Sequence, residues 1–360
     1  MDKIVTYDLS FFRGKRVLVT GDTGFKGSWL CLWLRELGAD VTGLALPPER
    51  NDDHFNLIGL DRLITHVTGD IRDLSTVLKV FQETQPEFVF HLAAQPIVRR
   101  SYDEPKLTFD TNVGGSVNIL EAVRTTSSVR TLIYVTSDKC YKNREWLWGY
   151  RENDELGGRD PYSASKAAAE LVFSSYCESF FRTRTGFGAA SVRAGNVIGG
   201  GDWAPDRIVP DCIRSLREGR PIILRNPLST RPWQHVLDPL AGYLQVAAAL
   251  HADPTSFTGA WNFGPADDAI WTVEQLSGKI IEYWGKGKLQ ITPAANAPHE
   301  ATLLHLNCDK ARQKLGWRPR WDVNRAVAET VTWYKAVVDG RPPHDISLQQ
   351  IKAFTEDSND

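Results

Sequence analysis

Tyr162 and Lys166 stand four residues apart in "YSASK" (162–166), at the start of a segment with helical spacing. That spacing puts both side chains on one face of a helix. A tyrosine serves as a base near neutral pH only when its phenolate is stabilised, and a neighbouring ammonium does this directly. Upstream, "YVTS" (134–137) closes an apolar run, and the hydroxyl of Thr136 or Ser137 is available to orient a hydroxyl of a bound molecule. The next two residues, Asp138 and Lys139, place an acid beside an amine at the end of that run. A Tyr/Lys pair alone describes many surface helices, so its meaning depends on what else the chain carries.

The chain also carries "TGDTGFKG" (20–27), with Gly21, Gly24 and Gly27 between an apolar run and a helical one. Glycines there let the backbone turn sharply and approach a pyrophosphate, whose charge then meets the free N–H groups of a helix N-terminus. Thr23, Phe25 and Lys26 share this loop and are candidate cofactor contacts with the glycines. With a dinucleotide in place, Lys166 can also reach the nicotinamide ribose, and Tyr162 becomes the base of a hydroxyl oxidation. An acid closing the second strand would hold the adenosine ribose. That strand ends here at Ala45-Leu46 with no carboxylate, so this position does not decide between NAD and NADP. Asp70 and Ile71, in "GDIRD", follow the third strand, where Asp70 can accept from an adenine amine; Asp73 reads equally well as a turn or helix cap.

These residues need a scaffold, and the alternation of short apolar runs with amphipathic segments supplies one. Strands are expected at "KRVLVTG", "DVTGLAL", "THVTGD", "EFVFHLAA", "RTLIYVTS" and "GAASVRAGN". Helices are expected at "SWLCLWLRELG", "LSTVLKVFQET", "DTNVGGSVNILEAVRTT" and "SASKAAAELVFSSYCESFF". Such alternation calls for an α/β fold, a Rossmann-type doubly wound parallel sheet covered on both faces. After residue 195 it fails, and Pro, Gly, Trp and Arg become frequent. The expected division is a dinucleotide-binding unit over 1–192 with a returning segment near 231–262, a smaller mixed substrate unit over 193–345, and a tail over 346–360.

Composition narrows the function classes. A chain of 360 residues with 42% hydrophobic content buries a large core. Its formal net charge of -2 disfavours nucleic acid or acidic membranes as partners but allows a local basic pocket for one anion. The five cysteines are far apart, with neither metal-ligand spacing nor a disulfide framework. The first 30 residues lack a signal-peptide pattern and no 18-residue apolar run occurs, so a cytoplasmic location is expected.

Taken together, TGDTGFKG, "HLAAQ" (91–95), "TNVGG" (111–115), the Tyr/Lys pair and "VRAGNVIGGGDWAPDRIVPD" (192–211) resemble the extended short-chain dehydrogenase/reductase family over nearly the whole chain. Within it, "TSDKCY", "NREWLWGYRE", "RNPLSTRPWQHVLDPL" and "WNFGP" are similar to the 4,6-dehydratases that act on CDP-glucose in deoxysugar synthesis. Two positions depart from that group: Asp22 where His is expected, and YSASK in place of YSNSK. A carboxylate at position 22 would repel a pyrophosphate unless it points away.

The resemblance implies NAD as cofactor, with Leu92, Ala93, Ala94, Gln95 and Asn112 along its site. It also implies a reaction order. Oxidation at C4 makes the C5 proton acidic, because the carbanion becomes an enolate, and only then does the 6-hydroxyl leave. Tyr162 would take the 4-hydroxyl proton and Thr136 would hold that oxygen. Asp138 would be the acid for the leaving hydroxyl and Lys139 the base at C5, a role that needs its pKa lowered, by partial burial or by a neighbouring cation such as Lys166 or the oxidised nicotinamide. For the nucleotide sugar, Gln95, Ser137, Asn196, Arg207, Arg231 and His235 are candidates, with Arg193 beside them and Trp233 or Trp271 as stacking partners. His299 in "NAPHEA" is a further candidate near the nucleotide. A sugar-nucleotide 4-epimerase would share the glycine loop, Tyr162 and Lys166 but has no need of an Asp138/Lys139 pair. A dehydratase of another nucleotide-glucose, and a cofactor-sensing protein without chemistry, are the other readings; the intact Tyr/Lys pair speaks against the last. Helices over 106–124 and 162–180 resemble the dimer interface of the family, so a homodimer or homotetramer is expected.

Overall fold

The fold is that of a computed structural model, which describes residues 8–266, 270–292 and 303–357. The first half alternates as its sequence predicts: β1 (Arg16–Thr20), α1 (Phe25–Glu36), β2 (Asp40–Ala45), α2 (His54–Leu57), β3 (Thr65–Thr68), α3 (Leu74–Thr84) and β4 (Phe88–His91). After α4 (Val98–Asp103), α5 (Pro105–Phe109) and α6 (Ser116–Thr125) come β5 (Thr131–Val135), α7 (Pro161–Tyr176) and β6 (Gly188–Arg193). The second half runs β7 (Val197–Ile198), α8 (Ile208–Arg217), β8 (Ile222–Leu224), β9 (Thr230–Pro232), β10 (Gln234–His235), α9 (Leu237–Ala252) and α10 (Pro254–Phe257). It closes with β11 (Gly259–Asn262), β12 (Ile270–Thr272), α11 (Val273–Trp284), β13 (Leu289–Ile291), α12 (Asp309–Leu315), α13 (Val323–Val338) and α14 (Pro343–Glu356).

Seven strands form one parallel sheet in the order β11-β6-β5-β4-β1-β2-β3. The order reverses between β1 and β4, where the chains leaving the two strands part and open a crevice above their C-terminal ends. Full burial of β4 and β5 explains their unbroken apolar runs. Helix α1 is buried from Gly27 to Leu34, because the sheet covers one side and α9 and α14 the other. Helix α3 exposes its polar face and buries Val77, Val80 and Phe81. The chain returns to the sheet through α9, nearly all of it buried, and β11, whose Gly259–Asn262 pair with Ala190–Arg193. The remaining short strands make three two-stranded pieces, β7/β10, β8/β13 and β9/β12, that frame the far side of the crevice.

The expected tail over 346–360 is corrected. Residues 343–356 form α14, whose Ile346, Ile351 and Phe354 are buried and whose Phe354 ring packs edge-on against Trp33 and Trp321 at 5.7 and 5.2 Å. Their helical spacing was legible, but the polar final residues hid it. Among the described residues no helix is long and apolar enough to cross a membrane.

Among the described residues three histidines, His54, His91 and His235, lie fully inside. His54 bonds Ser28 through Nδ1 (2.9 Å) and Ser347 through Nε2 (3.0 Å), tying α2 to α1 and α14. His91 bonds Thr20 (2.7 Å) and Ser116 (2.9 Å). Burial pulls the pKa of each, and of His235, down to about 3. Between that value and 6.5 the unfolded chain takes up protons that the native state refuses, so stability falls as pH drops below about 6.5, by roughly 1 kcal/mol per pH unit for each histidine. Asp238, which burial raises to about 7, opposes this over part of the range. Urea midpoints are expected to fall between pH 7 and pH 5, and His235→Leu is expected to flatten that slope; equal midpoints would contradict the assignment.

Candidate active site

The crevice is a single cleft of about 1880 Å3 running from the glycine loop to the short strands of the second half. At its dinucleotide end Gly21 follows β1 with φ 78°, and a Cβ there would lie 2.8 Å from the Ala93 backbone nitrogen. A Cβ on Gly27 would sit 2.0 Å from the Gly21 carbonyl oxygen, so the loop and the first turn of α1 meet only because both residues are glycine. Gly24 caps α1 without a side chain. The backbone of Gly24, Phe25, Lys26 and Gly27 therefore faces the cleft as an anion site at a helix N-terminus. Thr23 ties the loop to the end of β2 by donating to the Leu46 carbonyl (3.0 Å). These residues fit a dinucleotide pyrophosphate.

Asp22 points away from the cleft. Its carboxylate is fully buried beneath Gly43 of β2, where a Cβ would lie 2.1 Å from Oδ2, and it pairs with His66 Nδ1 at 2.7 Å. The hydrogen bond to Asp22 raises the His66 pKa. Asp70 lines the cleft with its carboxylate paired to Arg72, while Ile71 is buried against Gly115. Asp73 caps α3 by accepting from Ser75 N.

Leu92, Ala93, Ala94 and Gln95 follow β4 along the cleft wall. The Gln95 side chain is committed internally: its Nε2 donates to Ile97 O and Thr108 Oγ1, and its Oε1 accepts from Ile97 N at 2.6 Å. Gln95, expected at both cofactor and substrate, thus lines the cleft with its side-chain amide committed to the protein. Asn112 sits in a π-turn between α5 and α6, accepts from Gln95 N (2.8 Å) and donates to Ser165 Oγ (2.9 Å). It thereby holds α7 against the cofactor side.

Asp160 starts α7 by accepting from Ser163 N (2.9 Å), and Pro161 occupies the first turn, so Tyr162 and Lys166 are presented on consecutive turns. Both are buried and both line the cleft. Burial pushes the Tyr162 phenol up to about 12, against a lowering hydrogen bond from Ser137 and the charge of Arg207. Burial pulls Lys166 down to about 8, while the carboxylate of Glu170 opposes that fall. Lys26, half-buried beside them, is likewise lowered to about 8 by burial and by Arg207.

The strand-end hydroxyls are not equivalent. Thr136 Oγ1 donates to the buried Glu170 carboxylate, whereas Ser137 lies by the Tyr162 phenol and donates to Asp138 Oδ1 at 2.9 Å. Of the two hydroxyls, Ser137 is therefore the one beside the phenol, while Thr136, expected to hold the substrate oxygen, is committed to Glu170. Asp138 and Lys139 begin a 3-10 turn over Asp138–Cys140. Asp138 is 3% exposed and pressed against Gly195, where a Cβ would lie 2.0 Å from its Oδ2, while Lys139 is half-buried on the cleft wall. One cleft thus holds a Tyr/Lys pair and an Asp/Lys pair bridged by one serine.

Of the substrate candidates, Asn196, Arg207 and Arg231 line the cleft. Asn196 has φ 49° and a buried Nδ2 without a partner among the described residues, a donor left for a ligand. Arg207 is held by Asp202 (2.8 Å) and Arg231 donates to Thr230 O (2.7 Å). Three expectations are corrected. His235 is completely buried against Trp29 and Trp321. Arg193 is locked in an ion pair with Glu170, both 3% exposed. Trp271, opposite Arg231 in the β9/β12 pair, packs on the hydrophobic core, while Trp233 takes the place on the cleft wall. His299 lies outside the described residues. Sequence reasoning missed the ion pair of Arg99 with Asp206 (2.9 Å), which spans the cleft between α4 and the loop before α8; nothing local links residues 107 positions apart.

A sheet of this order with a Tyr/Lys pair facing its glycine loop defines an extended short-chain dehydrogenase/reductase. Within that class the chain belongs to the GDP-mannose 4,6 dehydratase family, which matches residues 18–330. It is 50% identical over 351 residues to a CDP-glucose 4,6-dehydratase of Salmonella typhimurium, covering 96% of this chain and 98% of that one. It is 30% identical to a dTDP-glucose 4,6-dehydratase of Streptomyces antibioticus, with 89% and 92% covered. Among solved structures, a dTDP-glucose 4,6-dehydratase from Streptomyces venezuelae with NAD and TYD bound superposes with a TM-score of 0.78 at 25% identity, covering 91% of this chain and 99% of that one. A UDP-glucose 4-epimerase from Thermus thermophilus in complex with NAD does so at 0.75 and 27%, with 89% and 99% covered.

Proposed function

We propose that this protein is an NAD-dependent hydro-lyase that converts CDP-D-glucose to CDP-4-dehydro-6-deoxy-D-glucose for deoxysugar synthesis. The observation that carries the reading is the Asp138/Lys139 pair facing the same cleft as Tyr162 and Lys166; half-identity to a CDP-glucose 4,6-dehydratase along the whole chain supports the substrate. NAD, when bound, supplies the reversible two-electron acceptor that takes hydrogen from C4 and gives it back at C6. Gly21, Thr23, Gly24, Phe25, Lys26 and Gly27 hold its pyrophosphate, and Lys166 its nicotinamide ribose.

Tyr162 takes the proton of the 4-hydroxyl, with Ser137 Oγ holding that oxygen. Ser137 and Arg207 lower the phenol's pKa against the rise that burial causes. Lys139 then removes the C5 proton, and Asp138 protonates the 6-hydroxyl as it leaves as water. Lys139, whose ammonium exchanges with solvent, returns a proton to C5, and solvent takes up the proton gained by Tyr162 and restores the one lost by Asp138. Asn196, Arg207 and Arg231 bind the diphosphate and sugar.

The test is purified protein with CDP-glucose, and dTDP-, UDP- and GDP-glucose beside it, with and without added NAD, followed by mass spectrometry. Loss of one water with the nucleotide retained is expected for CDP-glucose. A C4 epimer of unchanged mass, or no reaction with any of the four, would overturn the reading.

We also propose a homodimer or homotetramer in the cytoplasm, in a route to lipopolysaccharide sugars. Exposed Phe109, Leu171 and Phe180 on α5 and at α7 and its end support the oligomer. Sedimentation should give a multiple of 40.3 kDa, and Leu171→Glu should lower it. A monomer at micromolar concentration, or recovery of the protein outside the cytosolic fraction, would count against these assignments.

A further inference from the structure

The proposed chemistry uses two pairs of groups on different elements: Tyr162 and Lys166 on α7, and Asp138 and Lys139 on the turn after β5. Their relative placement must be set by something that touches both elements. Glu170, one turn after Lys166 on the same helix, is 3% exposed and accepts four hydrogen bonds: from Thr136 Oγ1, from Ser191 Oγ (2.8 Å), and from Nε and Nη2 of Arg193 (2.8 Å each). Arg193 then turns its Nη1 to Tyr141 Oη (2.6 Å) and to the Glu152 carbonyl (3.0 Å), with its guanidinium 4.9 Å from the Tyr141 ring. Tyr141 donates onward to Asn262 Oδ1 of β11 (2.8 Å).

Thr136 and Tyr141 are the residues flanking the turn that carries Ser137, Asp138 and Lys139. One buried ion pair therefore holds both ends of that turn and is itself rooted in the helix of Tyr162 and Lys166. We infer that Glu170 and Arg193 are positioning residues that clamp the acid/base turn at Thr136 and Tyr141 and so set its register against the redox pair. The inference rests on the dehydratase reading. Neither residue touches the substrate; both act through the backbone they fix. The Glu170 carboxyl, which burial alone would raise, is held below its usual value by Arg193 and its donors, in keeping with a permanently charged pair. An angstrom of drift in the turn leaves Tyr162 and Lys166 on their helix but moves Asp138 and Lys139 from C6 and C5, and misplacement of that size costs up to about 100-fold in rate.

The experiment compares Thr136→Val, Thr136→Ser, Tyr141→Phe and Glu170→Gln in the full-length protein with CDP-glucose and NAD. Two rates are read: single-turnover appearance of reduced cofactor by absorbance, which follows C4 oxidation, and water loss by mass spectrometry. For Thr136→Val and Tyr141→Phe, which each remove one hydroxyl and leave the ion pair, water loss should fall about tenfold more than C4 oxidation, and solvent deuterium at C5 should fall with it. Thr136→Ser, which keeps the hydroxyl, should restore the wild-type ratio. Glu170→Gln should shift the ratio furthest. An equal fall of both rates would be a general structural defect and overturns the inference, as does no change. If the wild-type protein loses no water from CDP-glucose, the dehydratase reading fails and the clamp falls with it; if only the variants' ratios stay constant, the clamp alone fails.

Discussion

Tyr162→Phe is expected to lower turnover about 10²- to 10⁴-fold, the range for loss of a positioned acid–base group. The substitution removes one oxygen from a buried ring on the first turn of α7 and leaves the cap at Asp160 and the bond from Asn112 to Ser165 intact, so the fold should persist. What disappears is the acceptor for the 4-hydroxyl proton. Without C4 oxidation the C5 proton is not acidic, so every later step stops. Single-turnover absorbance should show no reduced cofactor, and mass spectrometry no water loss. Appearance of reduced cofactor at the wild-type rate would remove Tyr162 from its role.

The second large effect separates the two halves of the reaction. In Asp138→Asn combined with Lys139→Met, Tyr162 and Lys166 are untouched, so reduced cofactor should still form from CDP-glucose. Water loss should fall by at least about 10²-fold, because both the acid for the 6-hydroxyl and the base for C5 are gone. Asp138→Asn keeps the shape that Gly195 encloses and the contact with Ser137 Oγ, which limits any collapse of the turn. The diagnostic result is a protein that oxidises its substrate and stalls. Loss of reduced-cofactor formation as well would mean that the pair serves C4 chemistry or the fold, and undiminished water loss would remove Asp138 and Lys139 from the elimination.

Much of this architecture was legible before any coordinates. Period-2 and period-3.6 patterns placed the strands and helices of the first half, because a parallel sheet buried on both faces demands unbroken apolar strands. The glycine loop was readable because its constraint is local: only glycine lets residues 21 and 27 approach as closely as they do. Tyr162 and Lys166 were readable because four residues along a helix fix which side chains share a face. Helix α14 carries the same local signal, its buried Ile346, Ser347, Gln350, Ile351 and Phe354 falling at helical spacing.

What the sequence alone determined, then, is what short-range geometry controls: the strand–helix alternation, the dinucleotide turn, the Tyr/Lys face and the adjacency of Asp138 and Lys139. Tertiary structure decided which of two neighbouring hydroxyls faces Tyr162. Thr136 and Ser137 differ by one position at a strand end, and successive side chains there point opposite ways, one to Glu170 on α7 and the other to Tyr162. It also decided that Arg193 and His235 belong to the interior and Asn196 to the cleft, and that Asp22 is harmless to a pyrophosphate. Each of those outcomes depends on a partner far along the chain: Glu170 for Arg193, Trp321 for His235, His66 for Asp22. A polar side chain is directed by whatever compensates its burial, and that compensation exists only once distant segments have packed together.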